Sequence, residues 1–295
     1  MKNFIGNQKV VLELTKIIKN KTFGHAYLFS GIDGIGKFIL AKEFAKAILC
    51  LNSDDTYCGE CESCRLFETS PDFVVVEKED GLIKVDAIRQ LIENVMLKPT
   101  VSTRRVFIIR DAECMNAQAQ NALLKVLEEP PAYATIILTT SNKERIIKTI
   151  KSRCTTFDFC KLKNDEIQEI FKDEKISEDM LIYSNGSAGK YLKLKNSSYI
   201  DSVMILEQAL SKNDLLSINR SINELKKVET IKDDINDVLD ILIIKLGSNL
   251  LENTKIKTKQ IEVIEEVRFN LSCNANFNIS LDYLGLRLWE INNLA

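Results

Sequence analysis

Gly31-Ile32-Asp33-Gly34-Ile35-Gly36-Lys37-Phe38 has the spacing of a phosphate-binding loop, yet it ends in phenylalanine where a metal-binding hydroxyl belongs. In a working loop the glycines let backbone N–H groups curl around phosphates, the lysine reaches the terminal pair, and a Ser or Thr oxygen holds magnesium. Phe38 has no oxygen to offer. The flanks suit the motif: Ala26-Tyr27-Leu28-Phe29 reads as a buried strand before it, and the run from Phe38 to Leu49 as a helix after it. The competing reading is a glycine-rich turn between strand and helix, with Lys37 solvated.

Outward from the loop, strand-like and helix-like runs alternate: Phe73 to Val76, Val85 to Leu97, Val106 to Ile109, Asn116 to Glu129, Thr135 to Thr139. Such alternation predicts an α/β fold with a parallel sheet. The helix from Asn116 starts on a capping residue, carries Leu123, Leu124 and Leu127 on one face, and stops at Pro130-Pro131. All four prolines lie at or before position 131, and the rest of the chain reads as helices with polar connectors. Short helices are expected over 165–194, then longer amphipathic ones over 205–225, 231–251, 256–271 and 279–294.

The 40 basic and 42 acidic residues leave a net charge of -2, so no global field draws the chain to nucleic acid or an anionic membrane. The first residues lack the apolar core of a signal peptide, and no run approaches the roughly 18 apolar residues of a span. A cytoplasmic protein is expected. In that setting the Asn-x-Ser sites at Asn185, Asn196, Asn219, Asn270 and Asn278 carry no glycan, and the eight cysteines favour metal over disulfides.

Four cysteines fall as Cys50-x7-Cys58-x2-Cys61-x2-Cys64, which suits a tetrahedral, structural zinc site of four thiolates. An iron–sulfur cluster or free thiols remain as alternatives. Glu60 and Glu62 read as solvated, and Cys114, Cys154, Cys160 and Cys273 as small buried thiols.

His25-Ala26-Tyr27-Leu28-Phe29, the altered phosphate loop, the four cysteines, the stretch Asn121-Ala-Leu-Leu-Lys-Val-Leu-Glu-Glu-Pro-Pro131, and Ser152-Arg153-Cys154 together resemble bacterial clamp-loader subunits of the AAA+ class. That resemblance covers nearly the whole chain. It implies a RecA-like AAA+ parallel-sheet domain over 1–160 with a zinc module at 50–64, a small helical lid over 161–200, and an all-α collar over 201–295. Apolar residues such as Ile241, Leu242, Ile244, Leu246, Leu250 and Leu251 exceed one narrow face, which suits burial both inside the domain and against partners, with core packing alone as the competing reading.

Two branches are resembled, the ATP-hydrolysing tau/gamma type and the delta prime type. The acidic pair expected after the third strand of a hydrolysing subunit falls on Arg110-Asp111, and Glu113 lies too far along to replace either acid without a distortion. Gly186-Ser187-Ala188-Gly189-Lys190 resembles the start of the last lid helix, with Gly189 in the place of the sensor arginine. Lys190 points about 100 degrees further around a helix. Losses at Phe38, Arg110, Asp111 and Gly189 all weaken hydrolysis, which favours the delta prime type. The degenerate nucleotide site then comprises Gly31, Gly34, Gly36, Lys37 and the strand-end Thr140. Magnesium is not expected, and ATP or ADP binding is left open.

Ser152-Arg153-Cys154 is intact, and the resemblance implies that Arg153 enters a neighbouring subunit's ATP site as an arginine finger; the competing reading is an arginine held in a structural salt bridge. Guanidinium suits that work because it stays charged and offers a planar fork. Implied partners are the other loader subunits (tau/gamma and delta) and, through the complex, the sliding clamp and primer-template DNA. Two other classes are weighed beside this: an active ATPase of tau/gamma type, and a zinc-dependent nucleic-acid binder using Lys98, Arg104, Arg105, Lys148 and Lys151. Against the latter, Asp54, Asp55, Glu60 and Glu62 make the cysteine segment acidic.

Overall fold

The apolar runs beside the loop become the middle of a parallel sheet. In the computed structural model, which describes residues 4–52, 54–197, 199–212, 214–228, 231–248 and 254–293, the strands are β1 (Ala26–Ser30), β2 (Phe73–Val76), β3 (Arg105–Ile109), β4 (Ala134–Thr140) and β5 (Thr155–Asp158). Their order is β2-β3-β4-β1-β5, and every neighbour pair is parallel. Helices α1 (Gln8–Asn20), α2 (Lys37–Leu49), α3 (Glu62–Arg65), α4 (Val85–Val95), α5 (Ala117–Glu128) and α6 (Lys148–Lys151) connect them. Three short helices follow, α7 (Asn164–Ile170), α8 (Glu178–Ser184) and α9 (Ala188–Lys195). The remainder is α10 (Ile200–Lys212), α11 (Leu215–Lys226), α12 (Ile231–Ser248), α13 (Thr254–Ser272) and α14 (Phe277–Asn293).

Successive side chains of a strand point to opposite faces, and here both faces are covered. Tyr27 and Phe29 pack with Leu14, Ile18, Leu40 and Phe44, while Ala26 and Leu28 pack with Ile88, Leu91, Leu123 and Val126. That double burial explains why β1 reads as an unbroken apolar run. Register sets Ser30 against both Thr140 and Asp158, so the strands' carboxyl ends form one edge, the usual place for a ligand in such sheets.

Three expected elements change, and Cys160 and Cys273, expected as buried thiols, are exposed. The reading had no strand at 155–158; Thr155-Thr156-Phe157-Asp158 forms the β5 edge, where only Phe157 is buried. Helix α4 ends at Val95 rather than Leu97. The single helix expected over 205–225 is two, because the Asp214 carboxylate accepts from the amides of Leu216 (3.3 Å) and Ser217 (3.1 Å) and starts α11 anew.

The chain divides into two compact units, Met1–Ile176 with Asn185–Lys190, and Ser177–Ser184 with Tyr191–Ala295. The residues expected to form a lid are shared between them. In the second unit Leu206, Ile218, Ile222, Leu239, Leu242, Ile264, Leu284 and Leu288 form an all-helical core. Ile241 is buried with them, Ile244 and Leu246 are partly so, and Leu250 and Leu251 lie outside the described residues. No described helix is long and apolar enough to cross a membrane.

Candidate functional site

The loop leaves the end of β1 and delivers the chain into α2. Gly34 (φ 73°) and Gly36 (φ 93°) adopt the left-handed backbone that side chains resist, and a Cβ on Gly31 would lie 2.8 Å from the Phe159 carbonyl oxygen. The loop is internally bonded. Lys37 is buried, and its Nζ donates to the Ile32 carbonyl at 2.7 Å. Burial lowers its pKa, opposed by the charges of Asp33, Glu113 and Asp111. The amide of Gly34 donates to the Asp33 carboxylate at 2.9 Å, so one donor of the anion cradle already holds an anion.

At the start of α9 the chain closes on this loop. Ser187 Oγ donates to the Asp33 carbonyl at 2.8 Å, and the Gly189 amide to the Gly34 carbonyl at 2.8 Å. A Cβ on Gly189 would lie 2.7 Å from Gly34 Cα. Glycine at the place of the expected sensor arginine is thus a packing requirement.

Phe38 and Arg110, which stand where the resemblance expects a magnesium-binding hydroxyl and carboxylate, offer no oxygen donor. The Arg110 guanidinium lies over the Phe38 ring, its Cζ 4.8 Å from the centroid, and Arg110 Nη1 bonds Glu77 at 2.9 Å. The two side chains thus touch each other as a cation on a ring. Asp111 is left-handed (φ 52°), its amide donates to Thr139 Oγ1, and its carboxylate pairs with Lys78 at 3.2 Å.

That left-handed residue is the distortion the sequence reading required for Glu113. It opens a short turn at Ala112–Cys114 and carries the Glu113 carboxylate to the end of β4, where it accepts from the Ser141 amide at 2.9 Å and from the Ser141 hydroxyl. Burial works to raise the pKa of Glu113, and the Ser141 bonds bring it below the ordinary value. Thr140 is fully buried, with its hydroxyl accepting from the Asn142 amide at 3.1 Å. Ser141 and Lys78 were missed as members of this edge, and Glu113 was set aside as too far along, since a non-glycine left-handed residue leaves no mark in a sequence.

The four cysteine sulfurs all lie within 4.8 Å of one another, with Cys50–Cys61 and Cys58–Cys64 at 3.9 Å. Four thiolates about 2.3 Å from a tetrahedral zinc stand about 3.8 Å apart, so this donor set fits zinc. The Cys61 and Glu60 amides draw the Cys58 thiol down to about 6, as suits a ligand that binds deprotonated, whereas burial pushes Cys64 up to about 12.

Arg153 follows α6. Its Nη2 donates to Glu128 Oε1 at 2.7 Å and its Nη1 to the Thr149 carbonyl at 3.0 Å, and the side chain keeps 33% of its surface exposed. Ser152 spends its hydroxyl on the Thr149 carbonyl at 3.0 Å. Cys154 packs against the sheet core, and burial pushes its thiol up to about 12, which removes it as a nucleophile. Among the cations offered for nucleic acid, Lys98 and Lys148 are exposed. Arg105 is not available: it is buried against Asp72 and bonds the Pro71, Asn94 and Leu97 carbonyls. Arg104 lies over Phe23 and bonds Thr135 at 3.2 Å.

Comparison with known proteins adds the following. The family described as "DNA polymerase III, delta subunit" matches residues 6–163. The DNA polymerase III subunit tau of Bacillus subtilis is 32% identical over 272 residues, covering 88% of this chain and 47% of that protein. The DNA polymerase III subunit delta' of Pseudomonas aeruginosa is 42% identical over 135 residues, covering 44% of this chain and 41% of that protein. The chain spans between 32% and 47% of the length of the first tau and gamma relatives. Among solved structures, a DNA polymerase III gamma subunit-related protein of Thermotoga maritima covers 96% of this chain, and this chain 99% of it, at TM-score 0.55 and 20% identity. That likeness speaks for the fold alone, a parallel-sheet unit followed by helices.

Proposed function

The chain belongs to the DNA polymerase III delta-subunit family, and from that premise we propose that it is a clamp-loader subunit of the delta prime type, silent for ATP hydrolysis itself and lending Arg153 to the ATP site of a neighbouring subunit. The observation that carries the silent half is the Arg110–Phe38 stack. The hydroxyl and carboxylate that would hold magnesium are replaced by a ring and a cation in mutual contact, so neither position can bind the ion or activate water through it. The seating of Gly189 on Gly34 supports the same reading, because it fills the place from which a sensor cation would reach the γ-phosphate.

For the other half, Arg153 lies at a partly exposed turn and offers the planar fork of a guanidinium. An arginine supplied in trans typically raises turnover by about 10³ to 10⁵ through the charge it places on the transition state. The cysteine module supports the first unit as a structural zinc site. Exposed Leu216, Phe269 and Ile279 on the helical unit suit assembly with other loader subunits, and through that complex the clamp and primed DNA, in the cytoplasm.

The test is DNA- and clamp-stimulated ATP turnover by the assembled loader with wild-type chain or Arg153→Ala, beside this chain alone. The expected result is no turnover alone and a loss of roughly 10³ at the adjoining site with Arg153→Ala. One observation favours the second reading, an active subunit of tau/gamma type: Glu113 comes close enough for its charge to act on Lys37. Turnover by the isolated chain that Lys37→Ala abolishes would establish that alternative.

A further inference from the structure

We propose that Glu128 is the positioning residue of Arg153, holding the guanidinium in the orientation in which it meets a phosphate. The inference rests on the reading of Arg153 as a trans-acting arginine and adds the group that aims it. Glu128 is the last residue of α5, and Pro130-Pro131 stops the helix immediately after it, so the carboxylate stands on a fixed seat. The α5 carboxyl end also carries the negative pole of the helix, which favours a guanidinium there.

The partner is fixed from its own side. The Arg153 amide donates to the Ile150 carbonyl at 3.0 Å, and Nη1 returns to the Thr149 carbonyl at 3.0 Å. Nη2 then reaches Glu128 Oε1 at 2.7 Å, a short charge-assisted bond between residues 25 positions apart. Two of the five N–H donors of the guanidinium are used in this way, and the other three stay free for an incoming anion without breaking either bond. A flexible arginine tethered at two points loses most of its rotamer freedom before the neighbour docks, and that entropy is not spent again in the transition state.

The experiment is ATP turnover by the assembled loader on primed DNA with the clamp, comparing wild-type, Glu128→Ala, Glu128→Gln, Arg153→Ala and the double alanine variant. Glu128→Ala should lower kcat by roughly ten- to a hundredfold with little change in KM, as a misaimed catalytic group does. Glu128→Gln keeps an acceptor oxygen and should recover most of the rate. The double variant should be no slower than Arg153→Ala, since the two act as one unit. The thermal midpoint of the free chain should hardly move, because a half-exposed ion pair adds little to stability.

A rise in turnover with Glu128→Ala would mean that the carboxylate restrains the arginine, and would overturn the proposal. So would wild-type turnover, or a loss that adds to that of Arg153→Ala. In those cases a large loss in Arg153→Ala leaves the trans-arginine reading standing. Wild-type turnover in Arg153→Ala sinks both together.

Discussion

Gly189→Ala puts two physical effects in opposition, and the structure decides the sign. Gly189 is the second residue of α9, where alanine is favoured by at most about 1 kcal/mol through helix propensity and a less flexible unfolded chain. Against this, the new Cβ would stand 2.7 Å from Gly34 Cα and 3.3 Å from the Gly34 carbonyl oxygen. Both neighbours are backbone, so no side chain can swing aside. The first turn of α9 must lift from the phosphate loop, which strains the packing by about 1 to 3 kcal/mol. It also puts the Gly189–Gly34 and Ser187–Asp33 hydrogen bonds at risk, at about 1 kcal/mol each. The net expectation is a loss of about 1 to 3 kcal/mol in the first unit, or roughly 2 to 10 °C in its thermal midpoint.

The sole tryptophan, Trp289, lies in the helical unit, so its fluorescence reports the wrong part of the molecule. The assay is therefore thermal unfolding followed by far-ultraviolet circular dichroism, with hydrogen exchange read on peptides covering 31–38 and 186–191. Gly247→Ala is the control: it makes the same change near the end of α12, where a Cβ meets nothing within 4 Å, and it should be neutral or stabilising. If Gly189→Ala matches the control, with no gain of exchange in the two peptides, the close backbone approach is wrong and the argument that the loop is covered falls with it.

Two more expectations concern the first unit. Asp72, fully buried, accepts from the amides of Thr100, Val101 and Ser102 at 2.7 to 3.1 Å and pairs with Arg105 at 3.7 Å, so Asp72→Ala should cost about 3 to 5 kcal/mol in urea unfolding. Burial works to raise the pKa of Asp72, but those amides bring it below its ordinary value. The carboxylate's contribution is therefore complete above about pH 4, the unfolded value, and is lost as pH falls through the lower folded one; acid titration of stability should flatten in that window in Asp72→Ala. At the cysteine cluster, metal analysis of the purified chain should find about one zinc per chain, and Cys64→Ser, which alters a buried ligand, should abolish binding and raise proteolysis within 50–64. Full zinc content in that variant would remove Cys64 from the ligand set.

The parts of the site legible in the sequence are those held within a few residues. The glycines and lysine of the loop, the two-residue gaps between cysteines, and the Asn116 cap, whose Oδ1 accepts from the Ala119 amide at 2.8 Å, all follow from local geometry. Other features were out of reach for identifiable reasons. Strand β5 buries one side chain of four, which is too little for a periodic signal. The course of the chain to Glu113 depends on a left-handed aspartate whose amide donates to Thr139 Oγ1 on the neighbouring strand, 28 positions away.

Residue order alone carries the alternation of buried strands and amphipathic helices, the thiolate spacing, and the lack of a hydroxyl at Phe38 and of an acid at Arg110. Each of these is set by residue type and local period. Folding is what brings Phe38 and Arg110 together as a ring and a guanidinium, rests Gly189 against Gly34 across 155 positions of chain, and pairs Glu128 with Arg153. Those contacts exist because the parallel sheet brings distant segments together, the loop, Phe38 and Arg110 at the carboxyl ends of its strands and Glu128 and Arg153 near the amino ends of β4 and β5, and no local preference encodes which side chains then face each other.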